Sequence, residues 1–194
     1  MSLVFFDFDG TLTRRDTILP FGFFLARTKG SKYLRMVYLV LLVILLKLRL
    51  LSNHKFKEKF CSVFLRGQSE NEIEGLSRVF ADRYLDGILN RPVVEALREH
   101  QQKGDEVYLV SSNFAFLLRP LQQSWALSGV IATDPEISAG RLTGRISGRA
   151  CDGREKLSRV FALFGRECVR EATAYGDSRG DRHLLAAVKR AVWV

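Results

Sequence analysis

Apolar positions along the chain fall into two kinds of run. Short runs at 3–6, 106–110, 129–132, 172–175 and 191–194 are rich in β-branched or aromatic residues, and most of them stop at a polar cluster. Such runs predict buried strands. Between them lie stretches with helical spacing, at 17–24, 33–51, 54–66, 70–84, 92–103, 114–127, 154–164 and 181–188. Gly30-Ser31 predicts a break between the first two helices, Pro92 suits a first helical turn, and Gly104-Asp105 closes the helix that Pro92 opens. Residues 136–138 and 141–146, joined by Ala139-Gly140, read as a hairpin. Strands alternating with helices predict a parallel α/β sheet with right-handed crossovers, whose ligands bind at the carboxyl ends of the strands. Only helices are predicted between Asp9 and about Arg91. The chain therefore reads as an α/β core made of residues 1–13 and 92–194, with an all-helical cap, residues 14–91, inserted after the first strand. A last strand that coincides with the end of the sequence suggests further C-terminal residues. No internal repeat or low-complexity segment is present.

The stretch 33–51 changes this picture most. It carries no charge from Met36 to Leu46, with Arg35, Lys47 and Arg49 at its edges. That uninterrupted portion is short of the roughly 20 residues a bilayer crossing needs. A single crossing here would also separate Asp7 from every later candidate site residue. The stretch reads as a helix buried in a small bundle, with a face that docks on lipid or on a partner as the intermediate reading.

Composition supports a globular protein with one sizeable core: 194 residues, 47% hydrophobic and 26% charged. The apolar start is short and carries Asp7, so no signal peptide is read there. Cys61, Cys151 and Cys168 are odd in number and lack metal-ligand spacing, which reads as reduced thiols of a cytoplasmic protein. The net charge is +9, a value that raises nucleic acid or a membrane surface as partner. Its location narrows that. Residues 14–66 hold 12 Lys/Arg against Asp16 and Glu58, and the remainder is close to neutral. The imbalance belongs to the inserted segment, so no nucleic acid is expected, and peripheral membrane contact through a basic, apolar cap remains.

The polar clusters supply the chemistry. In Asp7-Phe8-Asp9-Gly10-Thr11, alternation puts Asp7 and Asp9 on one face at the end of the first strand and sends Phe8 back into a core. Gly10 permits the turn and Thr11 adds a hydroxyl. Two like charges this close invite a metal cation or a shared proton. Ser111 and the Ser112 amide follow the second strand and can donate to a phosphate oxygen. Lys156 opens a helix, and its ammonium can balance a carboxylate and a phosphate together. Gly176-Asp177-Ser178-Arg179-Gly180-Asp181 again sets acids at a strand end. Each cluster alone has an ordinary reading as a turn, a surface lysine or a helix cap. Their order and common strand-end placement give the combination its meaning.

In order and spacing these four clusters resemble the signatures of the haloacid-dehalogenase-like phosphatases. The resemblance is closest to the phosphoserine-phosphatase-like branch, with its Rossmann-like core and a helical cap between the first and second signatures. It implies that Asp7 is a nucleophile and Asp9 a general acid/base. Asp7, Asp177 and the carbonyl of Asp9 would ligate Mg2+. Lys156, Ser111, the Ser112 amide and Thr11 would face the phosphate, and Asp181, with Ser178 beside it, would orient Lys156 or the metal's waters. It implies an Mg2+-dependent phosphomonoester phosphatase that forms an aspartyl-phosphate. Asp16 stands where that branch holds the serine ammonium, but Cys61 falls where it has an arginine for the carboxylate, a departure that argues against phosphoserine. The basic, apolar cap implies an anionic or amphipathic phosphomonoester. Competing readings are a phosphotransferase or mutase of the same fold, told apart by release of free phosphate, a receiver-like phosphoacceptor module, which Asp9 argues against, and a basic membrane-surface or nucleic-acid adaptor.

Overall fold

In the computed structural model, which describes residues 2–28 and 32–194, β1 (Leu3–Phe6) leads into five helices before the next strand. These are α1 (Ile18–Thr28), α2 (Lys32–Lys47), α3 (Asn53–Phe60), α4 (Glu70–Tyr84) and α5 (Arg91–Gln102). The chain continues through β2 (Glu106–Phe114), α6 (Ala115–Ser124), β3 (Gly129–Thr133), β4 (Pro135–Ser138), β5 (Arg141–Ile146), α7 (Arg154–Arg170), β6 (Thr173–Gly176), α8 (Arg182–Leu185) and β7 (Arg190–Trp193). The break expected at Gly30-Ser31 lies outside the described residues.

Five strands form one parallel sheet in the order β3-β2-β1-β6-β7. Its centre is β1, whose side chains are buried on both faces, as a continuous apolar run requires. Val4, Phe6 and Phe8 join the larger core with the helices that follow β1, whereas Phe5 packs beneath α7 with Val160, Val169 and Phe164. Phe6 stacks on Tyr175 with ring centroids 4.2 Å apart. The sheet grows first to one side (β2, β3) and then to the other (β6, β7). The chain therefore reverses direction beside β1, where crevices form at the carboxyl ends of strands. β4 and β5 form the expected antiparallel hairpin, and its turn residues Ala139 and Gly140 both have positive φ, 48° and 72°.

Several boundaries differ from expectation. β2 runs on to Phe114, which pairs with Thr133 across a register shift, so Ser111-Ser112-Asn113 lie inside the strand. The helix expected to end at 164 continues to Arg170 past Gly165, whose φ of 75° breaks the helical geometry. The helix after residue 53 passes into a π-type turn over Cys61–Leu65.

The largest correction concerns α2. It is not buried in a bundle: Leu39 and Leu42 are inside, but Leu34, Val37, Leu41 and Ile44 are 73%, 67%, 49% and 47% exposed. The sequence is apolar all round this helix, and α1 covers one side of it, so a face is left in solvent. Close approach of α1 and α2 depends on Gly22, where a Cβ would stand 2.4 Å from a Leu39 methyl carbon. No helix among the described residues is long and apolar enough to cross a membrane. Cys61 and Cys151 are buried, Cys168 is exposed, and all three are free thiols.

Candidate active site

Asp7 leaves β1 at the carboxyl edge of the sheet, fixed by its amide, which donates to the Tyr175 carbonyl at 3.0 Å. Its carboxylate points to the α7 side, the face that Phe5 occupies two residues earlier. There the Lys156 ammonium, from the first turn of α7, donates to Asp7 Oδ1 at 2.8 Å and pairs with Asp181 as well. All three groups are buried. Asp181 in turn accepts from the Ser178 amide (3.1 Å) and hydroxyl (2.7 Å). Asp177, the residue after β6, accepts from the Thr11 hydroxyl at 3.3 Å. Its carboxylate fills the space over Gly10: at φ 90°, a Cβ there would stand 2.2 Å from Asp177 Oδ2. A side chain at position 10 would displace the acid.

Asp9 faces the helices instead. Its Oδ1 accepts from the Thr17 amide (2.9 Å) and hydroxyl (2.7 Å), and Oδ2 accepts from Asn113 Nδ2 (2.7 Å). Asn113 also donates to the Thr17 hydroxyl at 2.8 Å, which closes the socket.

These surroundings separate the two acids. Burial pushes Asp7 up to about 6 against the pull of Lys156. Burial, then the negative charge of Asp16, push Asp9 up to about 7 although the Thr17 bonds favour its ionised form. Both acids are thus held above the ordinary carboxylate range by different surroundings, so two carboxylates two residues apart can take different roles. Burial disfavours the Lys156 charge, but Asp7 and Asp181 outweigh it and hold the ammonium above its ordinary range. Partial burial and the nearby Asp181 raise Asp177. Carboxylate oxygens of Asp7, Asp177 and Asp181 lie within 4.8 Å of one another. A set of hard oxygen donors this close fits a cation of the Mg2+ type.

A family model for haloacid dehalogenase-like hydrolases matches residues 4–186, from the first strand to the end of α8. The chain belongs to that family. Protein CicA of Caulobacter vibrioides is 30% identical to this hydrolase, over 95% of this chain and 82% of CicA. Phosphoserine phosphatase SerB1 of Mycobacterium tuberculosis is 28% identical, over 97% of this chain and 63% of SerB1. A crystal structure of a protein of unknown function from Bordetella pertussis Tohama I superposes with a TM-score of 0.90 at 28% identity, covering 99% of this chain and 89% of that one.

Within the hydrolase, the side chains of Asp7, Lys156, Asp177, Ser178 and Asp181 lie together, with Asp9 beside them. Ser111 is buried at the same edge, its Oγ accepting from the Asn113 amide at 3.2 Å. The Ser112 carbonyl accepts from Thr133 at 2.7 Å, which orders the strand end. Thr11 and Asp16 have further tasks. The Thr11 hydroxyl donates to Asp177, so it organises a carboxylate. Asp16 is exposed and caps α1, its Oδ1 accepting from the Ile18 amide at 2.9 Å. Only its charge reaches Asp9.

Three residues escaped the sequence reading. Thr17 and Asn113 form the socket of Asp9. Lys57 is 4% exposed, its ammonium 4.8 Å from the centre of the Phe114 ring and within the field of Asp16 and Asp9, and burial lowers its pKa. A signal was available for Lys57: it lies one helical turn before Cys61 and beside Phe56, on the face that Phe56, Phe60 and Phe64 mark as buried. Cys61 itself is buried, its thiol pushed up to about 12, so no charge stands where the arginine was expected.

Proposed function

We propose that this hydrolase is an Mg2+-dependent phosphomonoester phosphatase working through an aspartyl-phosphate on Asp7. One observation carries the reading: two acids two residues apart in different sockets, Asp7 against the buried Lys156 ammonium and Asp9 between Thr17 and Asn113. The family match and the phosphoserine phosphatase relative support the same class of chemistry. On this reading residues 1–13 and 92–194 are the catalytic core and 14–91 a helical cap, in a cytoplasmic enzyme whose exposed α2 face favours peripheral membrane contact.

Asp7 attacks phosphorus in line, and the ester oxygen leaves as its bond to phosphorus breaks. Asp9, poised near 7, gives that oxygen its proton and so releases the alcohol. Now ionised, Asp9 takes a proton from water, whose oxygen attacks the phosphorus of the acyl phosphate. Phosphate departs and the Asp7 carboxylate returns. Lys156 opposes the charge on the phosphoryl oxygens, assisted by the Ser111 hydroxyl and the Ser112 amide. Asp7, Asp177 and the Asp9 carbonyl would hold Mg2+, which when bound offsets the repulsion between a carboxylate and a phosphate dianion. Asp181 keeps Lys156 aimed at Asp7. A screen of phosphomonoesters with and without Mg2+ tests the proposal, with Asp7→Asn as control. Phosphate release that persists in that variant would sink the mechanism.

A further inference from the structure

A cavity of about 420 Å3 lies among the helices between β1 and β2, and the site described above leaves it without a task. Ile18 and Leu19 of α1, Val43 and Leu46 of α2, Phe56 of α3 and Phe80 of α4 line it, with charge supplied by Arg15, Asp16 and Lys47. Its volume falls within the range of small-molecule sites, and its lining is chiefly hydrocarbon. The cavity adjoins the proposed reaction centre through the chain itself. Thr17, which holds Asp9, stands between the lining residues Asp16 and Ile18. Lys57, in the field of Asp9, directly follows the lining residue Phe56. Lys57 is 4% exposed, and its ammonium lies against the Phe114 ring without a hydrogen bond or ion pair among the described residues.

We infer that this cavity receives the hydrocarbon tail of an amphipathic phosphomonoester whose phosphate sits at Asp7, an assignment that rests on the phosphatase reading above. The small zwitterionic body of phosphoserine offers nothing to walls of Leu, Val, Ile and Phe, whereas an alkyl or acyl chain is removed from water by them. The Lys57 ammonium, which lies over the Phe114 ring, supplies a counter-charge for the polar linkage between tail and phosphate. α2, which contributes Val43 and Leu46, also leaves Val37, Leu41 and Ile44 in solvent, so the wall of the cavity belongs to a helix whose outer face is apolar too.

Linear alkyl monophosphates from methyl to decyl, kept below their micellar concentrations and supplied with Mg2+, test the inference against phosphoserine. The expected result is a kcat/KM that climbs about fourfold per methylene until the cavity is full, passing the value for phosphoserine. Val43→Trp and Leu46→Trp each fill the cavity and flatten that climb, so that within each variant decyl phosphate loses its advantage over methyl phosphate. The pair, each checked by thermal melting, covers the case in which one fails to fold. A readout without turnover comes from calorimetry on Asp7→Asn, where decyl phosphate binds with a more negative heat-capacity change than methyl phosphate. Equal kcat/KM along the series, or an unchanged climb in the folded Trp variants, would overturn the tail site and leave the phosphatase intact. If no ester releases phosphate while calorimetry still shows tail-dependent binding, the tail site stands and the phosphatase reading fails.

Discussion

At the carboxyl edge of the sheet, charge is buried and paired: the Lys156, Asp7 and Asp181 side chains are 3%, 8% and 3% exposed, and each has a partner of opposite sign. Along α2 the situation is inverted, with apolar side chains such as Leu34, Val37 and Ile44 in solvent. The first region is intolerant because a buried charge that loses its partner is left without water or counter-ion. The second is tolerant as a fold, because among the described residues that face stays in solvent. The proposed chemistry thus lies where the structure is over-determined.

The largest effect tests the first region by function. Asp7→Asn lowers phosphate release by at least about 10^4-fold, the scale for removing an essential nucleophile, as read by phosphate assay on a protein shown to be folded. Next comes stability. Lys156→Ala strands Asp7 and Asp181 and costs about 3–5 kcal/mol in chemical denaturation; a loss below about 1 kcal/mol would show that water relieves the pair and that the edge is not over-determined.

Titration gives a third, smaller effect. Activity needs Asp7 ionised and Asp9 protonated, so kcat/KM rises with pH through a limb at or below about 6, bound cation moving it downward, and falls through a limb near about 7. In Asp9→Asn the alkaline limb disappears from whatever rate remains, and its persistence would assign the proton to another group. The smallest effect belongs to α2. Val37→Lys changes stability by no more than about 0.5 kcal/mol, whereas Leu39→Ala on the inner face of the same helix costs about 2–5 kcal/mol. Equal costs at the two positions would erase the contrast between the regions.

The strands and the acids at their ends were legible because both follow from local pattern: an apolar run fixes where a strand lies, and the polar break fixes where it stops. Lys156 was legible only through the order of clusters, since nothing near it in the chain says that Asp7 and Asp181 will surround it. What local pattern does not carry is the direction of a side chain once the backbone turns irregularly. Thr11 and Asp9 both follow β1, yet one hydroxyl goes to Asp177 and the other residue's carboxylate turns to Thr17. The capping role of Asp16 was not legible either, because it depends on where the first turn of α1 begins. The exposure of α2 was hidden for the opposite reason. An all-apolar helix gives no sign of which side its neighbours will leave uncovered.

Thr17 links these regions mechanically. Its amide and hydroxyl hold Asp9, and the very next residue begins α1, which packs closely on α2 at Gly22. A shift of α1 would stretch a 2.7 Å contact at the acid. The space between the helices and the carboxylate proposed to carry the proton are therefore tied to each other through a single residue.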